Sequence, residues 1–201
     1  MTLREKDPGR ILVTGSAGFI AGYLVKELLN AGYRVRGVDN FSKYGRISRE
    51  HDTHPAYEFV VGDCKDGALM RELTDGCEQI VASAALIGGI TYFHSFPYDL
   101  FAENERILAS TFDAAIAAYK KQSLSRIVVI SSSMVFESAT LFPTPEGAEL
   151  TSPPPRSTYG FQKLASEYFA RGANQADDIT VLLFRYNAAA KAVATVQQAT
   201  A

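Results

Sequence analysis

The stretch that decides the fold is ILVTGSAGFIAGYL, Ile11–Leu24. Its opening ILVT is a short apolar, β-branched run, which reads as a buried strand. From Gly18 to Ala31 the apolar residues fall at helical spacing, and Gly32 closes the segment. Gly15 and Gly18 lie in the turn between. A strand that passes through such a turn straight into a helix gathers free backbone N–H groups and the positive end of the helix dipole, a setting that favours an anion. Glycine lets the backbone approach that anion with no Cβ in the way. The spacing is Gly15-x-x-Gly18-x-x-Ala21, with Gly22 next, and differs from G-x-G-x-x-G. A turn that only packs could use the same residues.

Outward from this unit the pattern repeats. Strands are predicted at Arg34–Asp39, Tyr57–Asp63, Gln79–Ala84, Arg126–Ser131 and Ile179–Arg185. Helices are predicted at Asp66–Leu73, at Pro97–Lys120 and from Tyr159 to Arg171, with a Pro-rich loop from Phe142 to Ser157. In the long helix Leu100, Ile107, Leu108, Phe112, Ile116 and Tyr119 keep an apolar stripe. Strands that alternate with helices and read as continuous apolar runs indicate an α/β fold, a doubly wound parallel sheet covered on both faces. Asp39 ends the second strand at the offset where an acidic side chain accepts hydrogen bonds from an adenosine ribose. It would repel a 2′-phosphate and so favours NAD over NADP, while Lys43 and Arg46 nearby keep NADP open. Asp63 ends the third strand, where the adenine would lie.

The chain has 201 residues, 47% hydrophobic and 21% charged, with a formal net charge of −2. A domain of this size can bury a core without disulfides or metals. The charge balance and the lack of a basic run speak against nucleic acid. MTLREKDPGR has no signal-peptide pattern, and no run approaches the roughly 20 apolar residues of a membrane span. Cys64 and Cys77 are too far apart for a CxxC motif, so reduced, half-buried cysteines in a cytoplasmic protein are expected. His51 and His54 in HDTH have metal-like spacing, but no third ligand is evident, and no metal site is expected.

Tyr159-Gly-Phe-Gln-Lys163 puts a phenol and an ammonium one helical turn apart on one face. A free tyrosine is too weakly acidic to act as a base at neutral pH, and a nearby cation favours the phenolate. A plain surface contact would have the same spacing. ISSSMVF (Ile130–Phe136) brings serine hydroxyls to the carboxyl end of the fifth strand, the edge where ligands bind in open α/β sheets. Strand-end capping is the alternative use of those serines.

TGSAGFIAGYL, the Asp39 strand end, VVGD, SSSMVF and PPPRSTYGFQKLASE together resemble the extended short-chain dehydrogenase/reductase family, which includes NAD-dependent nucleotide-sugar epimerases and dehydratases. The likeness runs in order from about Arg10 to Arg185. It implies a Rossmann fold with a bound NAD and a Ser–Tyr–Lys set. Carried over, Tyr159 is the base, Lys163 holds the nicotinamide ribose, and the serine is Ser132 or Ser133. Ser132 is preferred because it lies four residues before Phe136, which stands where the family has tyrosine. Cofactor contacts are implied for Gly15, Gly18, Phe19, Ile20, Asp39, Asn40, Asp63, Cys64, Ala84, Ala85, Tyr159 and Lys163. Asn104 matches the asparagine of the family's long helix. The implied reaction is transient oxidation of a sugar hydroxyl at C4, ending in epimerisation or dehydration.

SAALIGGITYFHSFPYDL (Ser83–Leu100) resembles the branch that holds GDP-sugar 3,5-epimerases and GDP-fucose synthase, which implies a substrate role for Gly88 and Gly89. The wider family resemblance implies one for Ser132 and, through LLFRYNA (Leu182–Ala188), for Asn187, which sits one place early for the family's substrate-binding asparagine. Met134 stands where that branch has a proton-exchanging cysteine and has no acid–base chemistry. Residues 1–187 are expected to form the NAD-binding domain and 188–201 an alanine-rich tail unlike the family. The C-terminal substrate-binding part is therefore expected to be largely absent, through truncation, a frame shift or a natural short form. A catalytically inactive dinucleotide-binding sensor or partner subunit is the alternative function. The long helix and the helix from Tyr159 are those that pair across the family's dimer, so a homodimer is expected; burial in the core is the other use of their stripes.

Overall fold

The computed structural model describes residues 9–89, 92, 95–121, 123–177 and 180–184. Six parallel strands form one sheet in the order β3-β2-β1-β4-β5-β6. They are β1 (Arg10–Thr14), β2 (Arg34–Asp39), β3 (Tyr57–Val61), β4 (Gln79–Ala82), β5 (Arg126–Ile130) and β6 (Thr180–Phe184). The helices are α1 (Phe19–Asn30), α2 (Gly67–Thr74), α3 (Pro97–Lys120) and α4 (Thr158–Asp177). Chain order reverses between β1 and β4, so the crevice of the sheet opens at their carboxyl ends.

The apolar strands are two-faced. Ile11, Val13, Val35 and Val81 pack with Ala21, Val25 and Leu29 of α1, while Leu12, Val38, Ile80, Ile127 and Val129 pack with Met70, Leu73, Phe112 and Ala115 of α2 and α3. Alternate residues of one strand thus serve opposite layers. Each fully buried Val or Leu contributes about 1.5–3 kcal/mol, which exceeds any helix propensity in α1. Helix starts differ in a way that matters below. Asp66 caps α2 by accepting from Ala68 N and Leu69 N at 2.9 and 3.1 Å. Gly18 caps α1 with no side-chain hydrogen bond.

Several strands stop earlier than their apolar runs suggest. β4 ends at Ala82 because the N–H groups of Ser83 and Ala84 both turn to Thr14 Oγ1, each at 3.0 Å. β3 ends at Val61, and Asp63 folds back to accept from Lys65 N. β5 ends at Ile130, since Ser131 Oγ donates to Glu167 at 2.6 Å. Helix α4 instead runs on to Asp177, burying Ala170 and Ala173 in the core. Short 3₁₀ turns at Glu50–Thr53, Ser133–Phe136 and Ala148–Leu150 break segments expected to be loop or strand end. Cys64 and Cys77 are free and fully buried, rather than half-buried as expected. Burial pushes the Cys64 thiol up to about 12, so it is a packing group, not a nucleophile. Among the described residues no helix is long and apolar enough to cross a membrane.

Candidate active site

The first turn has the geometry its glycines require. Gly15 adopts φ +68°, and its N–H donates to Val38 O at 2.8 Å. A Cβ there would lie 2.8 Å from Ala84 Cα, so only glycine lets β1 and β4 close against each other. Thr14 Oγ1 completes that closure by accepting from Ser83 and Ala84. Gly18 N donates to Gly15 O at 2.9 Å, and α1 begins at once with Phe19. The uncapped first turn of α1 points its N–H groups into the crevice edge, a cradle that fits a pyrophosphate.

Asp39 does two local tasks. One carboxylate oxygen accepts from Ala17 N at 3.1 Å and the other from Phe41 N at 2.7 Å. The acid therefore ties the glycine turn after β1 to the chain just beyond β2. Asn40 Nδ2 donates to Asp63 Oδ2 at 3.3 Å, which brings those two predicted residues together. Lys43 Nζ donates to Ile87 O at 2.6 Å, and the Arg46 guanidinium lies 6.0 Å from the Phe41 ring centre. Both cations are thus engaged locally. His51 is buried edge-on to Tyr57, and His54 Nδ1 accepts from Ala56 N at 3.1 Å.

At the other side of the crevice, Lys163 Nζ donates to Ile130 O at 2.8 Å, at the carboxyl end of β5. Burial pulls this ammonium down to about 8, opposed by the Glu167 carboxylate. Tyr159 is buried one turn earlier on the same helical face. Ser132 caps the 3₁₀ turn Ser133–Phe136 by accepting from Met134 N at 3.2 Å, and that turn packs on α4. The capping and ligand-edge readings of the serines are therefore compatible: Ser132 is part-buried beside α4, and Ser133 faces solvent. A cavity of about 20 Å³ joins the two halves, lined by Thr14, Ala84, Ala85, Asn104, Ile130 and Lys163. It has room for a single water. Gly88 and Gly89 lie on the loop beyond Ala85, and Asn187 and residues 188–201 lie outside the described residues.

Some supports were legible only as a family match with no contact assigned, as Asn104 was, or not at all. Asn104 is buried and grips the loop after β4, accepting from Leu86 N at 2.7 Å and donating to Leu86 O at 2.9 Å. Asn104→Ala leaves both backbone groups unpaired and is expected to cost about 2–4 kcal/mol, measured by urea unfolding; a loss near zero would mean the loop is held by other contacts. Glu137 accepts from Ser157 N and Oγ at 2.9 and 2.7 Å, and Ser157 Oγ accepts from Gly160 N at 3.0 Å, which seats the start of α4. No local signal announces that pairing. Glu167 has one, since it follows Lys163 by the same four-residue step that separates Lys163 from Tyr159. Arg49 donates to Ala17 O and Gly18 O at 3.0 and 2.8 Å from well outside the motif.

A parallel sheet of this order, a glycine turn entering α1 and an acid at the end of β2 define a Rossmann-type dinucleotide-binding domain. The chain belongs to the NAD dependent epimerase/dehydratase family, whose model matches residues 11–190. That places it among the extended short-chain dehydrogenases/reductases, a family of enzymes. It is 36% identical over 106 residues to a 3-beta-hydroxysteroid dehydrogenase of Mycolicibacterium neoaurum, covering 51% of this chain and 27% of that protein. It is 30% identical over 182 residues to UDP-glucuronate 4-epimerase 6 of Arabidopsis thaliana, covering 88% of this chain and 38% of that one. Among solved structures it resembles a double mutant of DesIV, a dTDP-glucose 4,6-dehydratase from Streptomyces venezuelae with NAD bound, at 26% identity and a TM-score of 0.76. That match covers 88% of this chain and 55% of the dehydratase. The chain thus spans between about a quarter and about half of the length of these relatives.

Proposed function

We propose that the chain binds NAD in preference to NADP and carries the catalytic half of a nucleotide-sugar epimerase or dehydratase that oxidises a sugar hydroxyl, at C4, transiently. The observation that carries this reading is Lys163 seated on the Ile130 carbonyl, two residues before Ser132 in the chain, on the α4 face that bears Tyr159. When bound, the dinucleotide supplies the hydride acceptor and donor. The uncapped start of α1, with Gly15, Gly18, Phe19 and Ile20, would hold its pyrophosphate, and Asp39, Asn40, Asp63 and Cys64 would surround its adenosine. Ala84 and Ala85 would line its path toward Lys163. Tyr159 takes the proton of the sugar hydroxyl, Ser132 steadies that oxygen, and the Lys163 ammonium favours the phenolate. Gly88 and Gly89, with Asn187, would border the sugar. The resulting ketone acidifies neighbouring C–H bonds, and epimer or dehydrated product follows from the sugar's later path.

The Lys43 bond to Ile87 O supports NAD, because it draws that cation away from a 2′-phosphate, while Arg46 stays exposed. The same reading extends to a homodimer. Tyr98 of α3 and Phe161 and Tyr168 of α4 are 74%, 46% and 55% exposed, whereas Leu108, Phe112 and Ala115 are committed to the core. Calorimetric titration is expected to give NAD an affinity at least about tenfold above NADP. Asp39→Asn is expected to shrink that ratio by removing the charge and to weaken both cofactors, since its NH2 replaces one of the two oxygens that accept from Ala17 N and Phe41 N. Equal or tighter NADP binding would overturn the preference. Binding of NAD with no conversion of UDP- or dTDP-sugars would favour a non-catalytic dinucleotide sensor instead.

A further inference from the structure

We infer that Arg49 is a positioning residue for the phosphate turn, acting from behind it, and that Gly22 exists in α1 to admit the Arg49 guanidinium. The inference rests on the dinucleotide reading of the turn and adds a residue that no part of the glycine motif contains. Three observations converge. Arg49 Nη2 donates to Ala17 O at 3.0 Å and to Gly18 O at 2.8 Å. A Cβ on Gly22 would overlap the Arg49 guanidinium, so alanine at that position would displace it. Arg49 is itself fixed, since its backbone N–H donates to Asp52 Oδ2 at 2.9 Å.

The consequence follows from the planarity of the peptide. In a trans peptide the C=O and the following N–H point in opposite directions. Gly18 O accepts from Gly22 N at 3.0 Å as the first carbonyl of α1 and from Arg49 Nη2 at 2.8 Å, so Arg49 reinforces the orientation that the helix start gives this peptide, with Phe19 N–H on the side opposite to Gly18 O. Ala17 is gripped at both ends, its N–H by Asp39 at 3.1 Å and its carbonyl by Arg49. A flexible glycine turn would otherwise spend much of its time in other orientations and bind an anion more weakly. The guanidinium also adds fixed positive charge behind the helix start, with the same sign as the dipole.

Two variants test the inference independently. Arg49→Ala removes the anchor, and Gly22→Ala expels it while inserting the better helix former. Both are expected to weaken NAD and ADP by about tenfold or more and to leave adenosine binding unchanged, because adenosine lacks the phosphates. Hydrogen exchange of Phe19 and Ile20 amides in the ligand-free protein should quicken in both. Methylguanidinium added to Arg49→Ala should recover part of the NAD affinity. Wild-type-like NAD affinity in both variants would overturn the inference and leave the cofactor reading standing. Equal losses for adenosine and NAD would mark Arg49 as merely structural and overturn it too. A folded wild type that binds no dinucleotide would bring down the cofactor reading and this inference together.

Discussion

Lys163→Met is expected to cut turnover by about 10²–10⁴-fold and to remove a pH-dependent part of the stability. The ammonium's ordinary value is 10.5, and burial in the folded protein brings it down to about 8. Between those values the unfolded chain holds a proton that the folded one has released, so stability rises as pH is raised through the window. Below about 8 both states are protonated, and the slope from this group vanishes. The groups that face Lys163 are the Glu167 carboxylate of α4, which opposes the shift, and the Ile130 carbonyl of β5, which accepts a hydrogen bond from it at 2.8 Å. Urea midpoints of wild type and Lys163→Met, compared from neutral pH to about 10.5, should diverge in favour of the wild type as pH rises. Tyrosines and cysteines remote from Lys163 cancel in the difference. Parallel curves would mean that Lys163 sits in water rather than at a dry sheet edge, and the catalytic assignment would lose its physical basis. Turnover is read by chromatography of the nucleotide-sugar products.

Gly15→Ala is expected to combine two penalties that act on different links of the chain. The backbone at φ +68° disfavours any L side chain, and the new Cβ would lie 2.8 Å from Ala84 Cα and 3.1 Å from Ala84 N. Together these should cost about 2–4 kcal/mol. They should also open the β1–β4 crevice and lower NAD affinity by at least about tenfold. Gly32→Ala is the control, because Gly32 has φ +87° and a Cβ there would meet nothing within 4 Å. It carries the backbone penalty alone. Equal destabilisation of the two variants would show that Ala84 moves aside freely and that the crevice is not set by this contact.

The elements themselves were legible because their signals are short-range. The run Ile11–Thr14, the turn and the amphipathic α1 sit next to one another in the chain, and the packing of Leu12 into one layer and of Ile11 and Val13 into the other follows from strand geometry. The same holds for the Tyr159–Lys163 spacing and for Asp39 at a strand end. The ends of β3, β4 and β5 were not legible, because each is cut short by a side chain: Asp63 accepting locally, Thr14 reaching across the sheet and Glu167 reaching from α4. An apolar run cannot announce that its next N–H will turn to a distant hydroxyl. Ser132 shows the overlap of the two levels, since its position at the strand end was readable but its cap on Met134 needed the 3₁₀ turn.

Taken by itself, the sequence determined a doubly wound α/β domain, an anion-ready glycine turn, an acid at the second strand end and a tyrosine–lysine pair on one helical face. All are consequences of local backbone preference and periodicity. Only the tertiary structure decided that Asn104 holds the Leu86 loop, that Glu137 seats the start of α4 and that Arg49 bonds the glycine turn at Gly18 O. Those pairings join residues 18 to 31 positions apart, and such partners meet only once the order of strands in the sheet has brought their elements together.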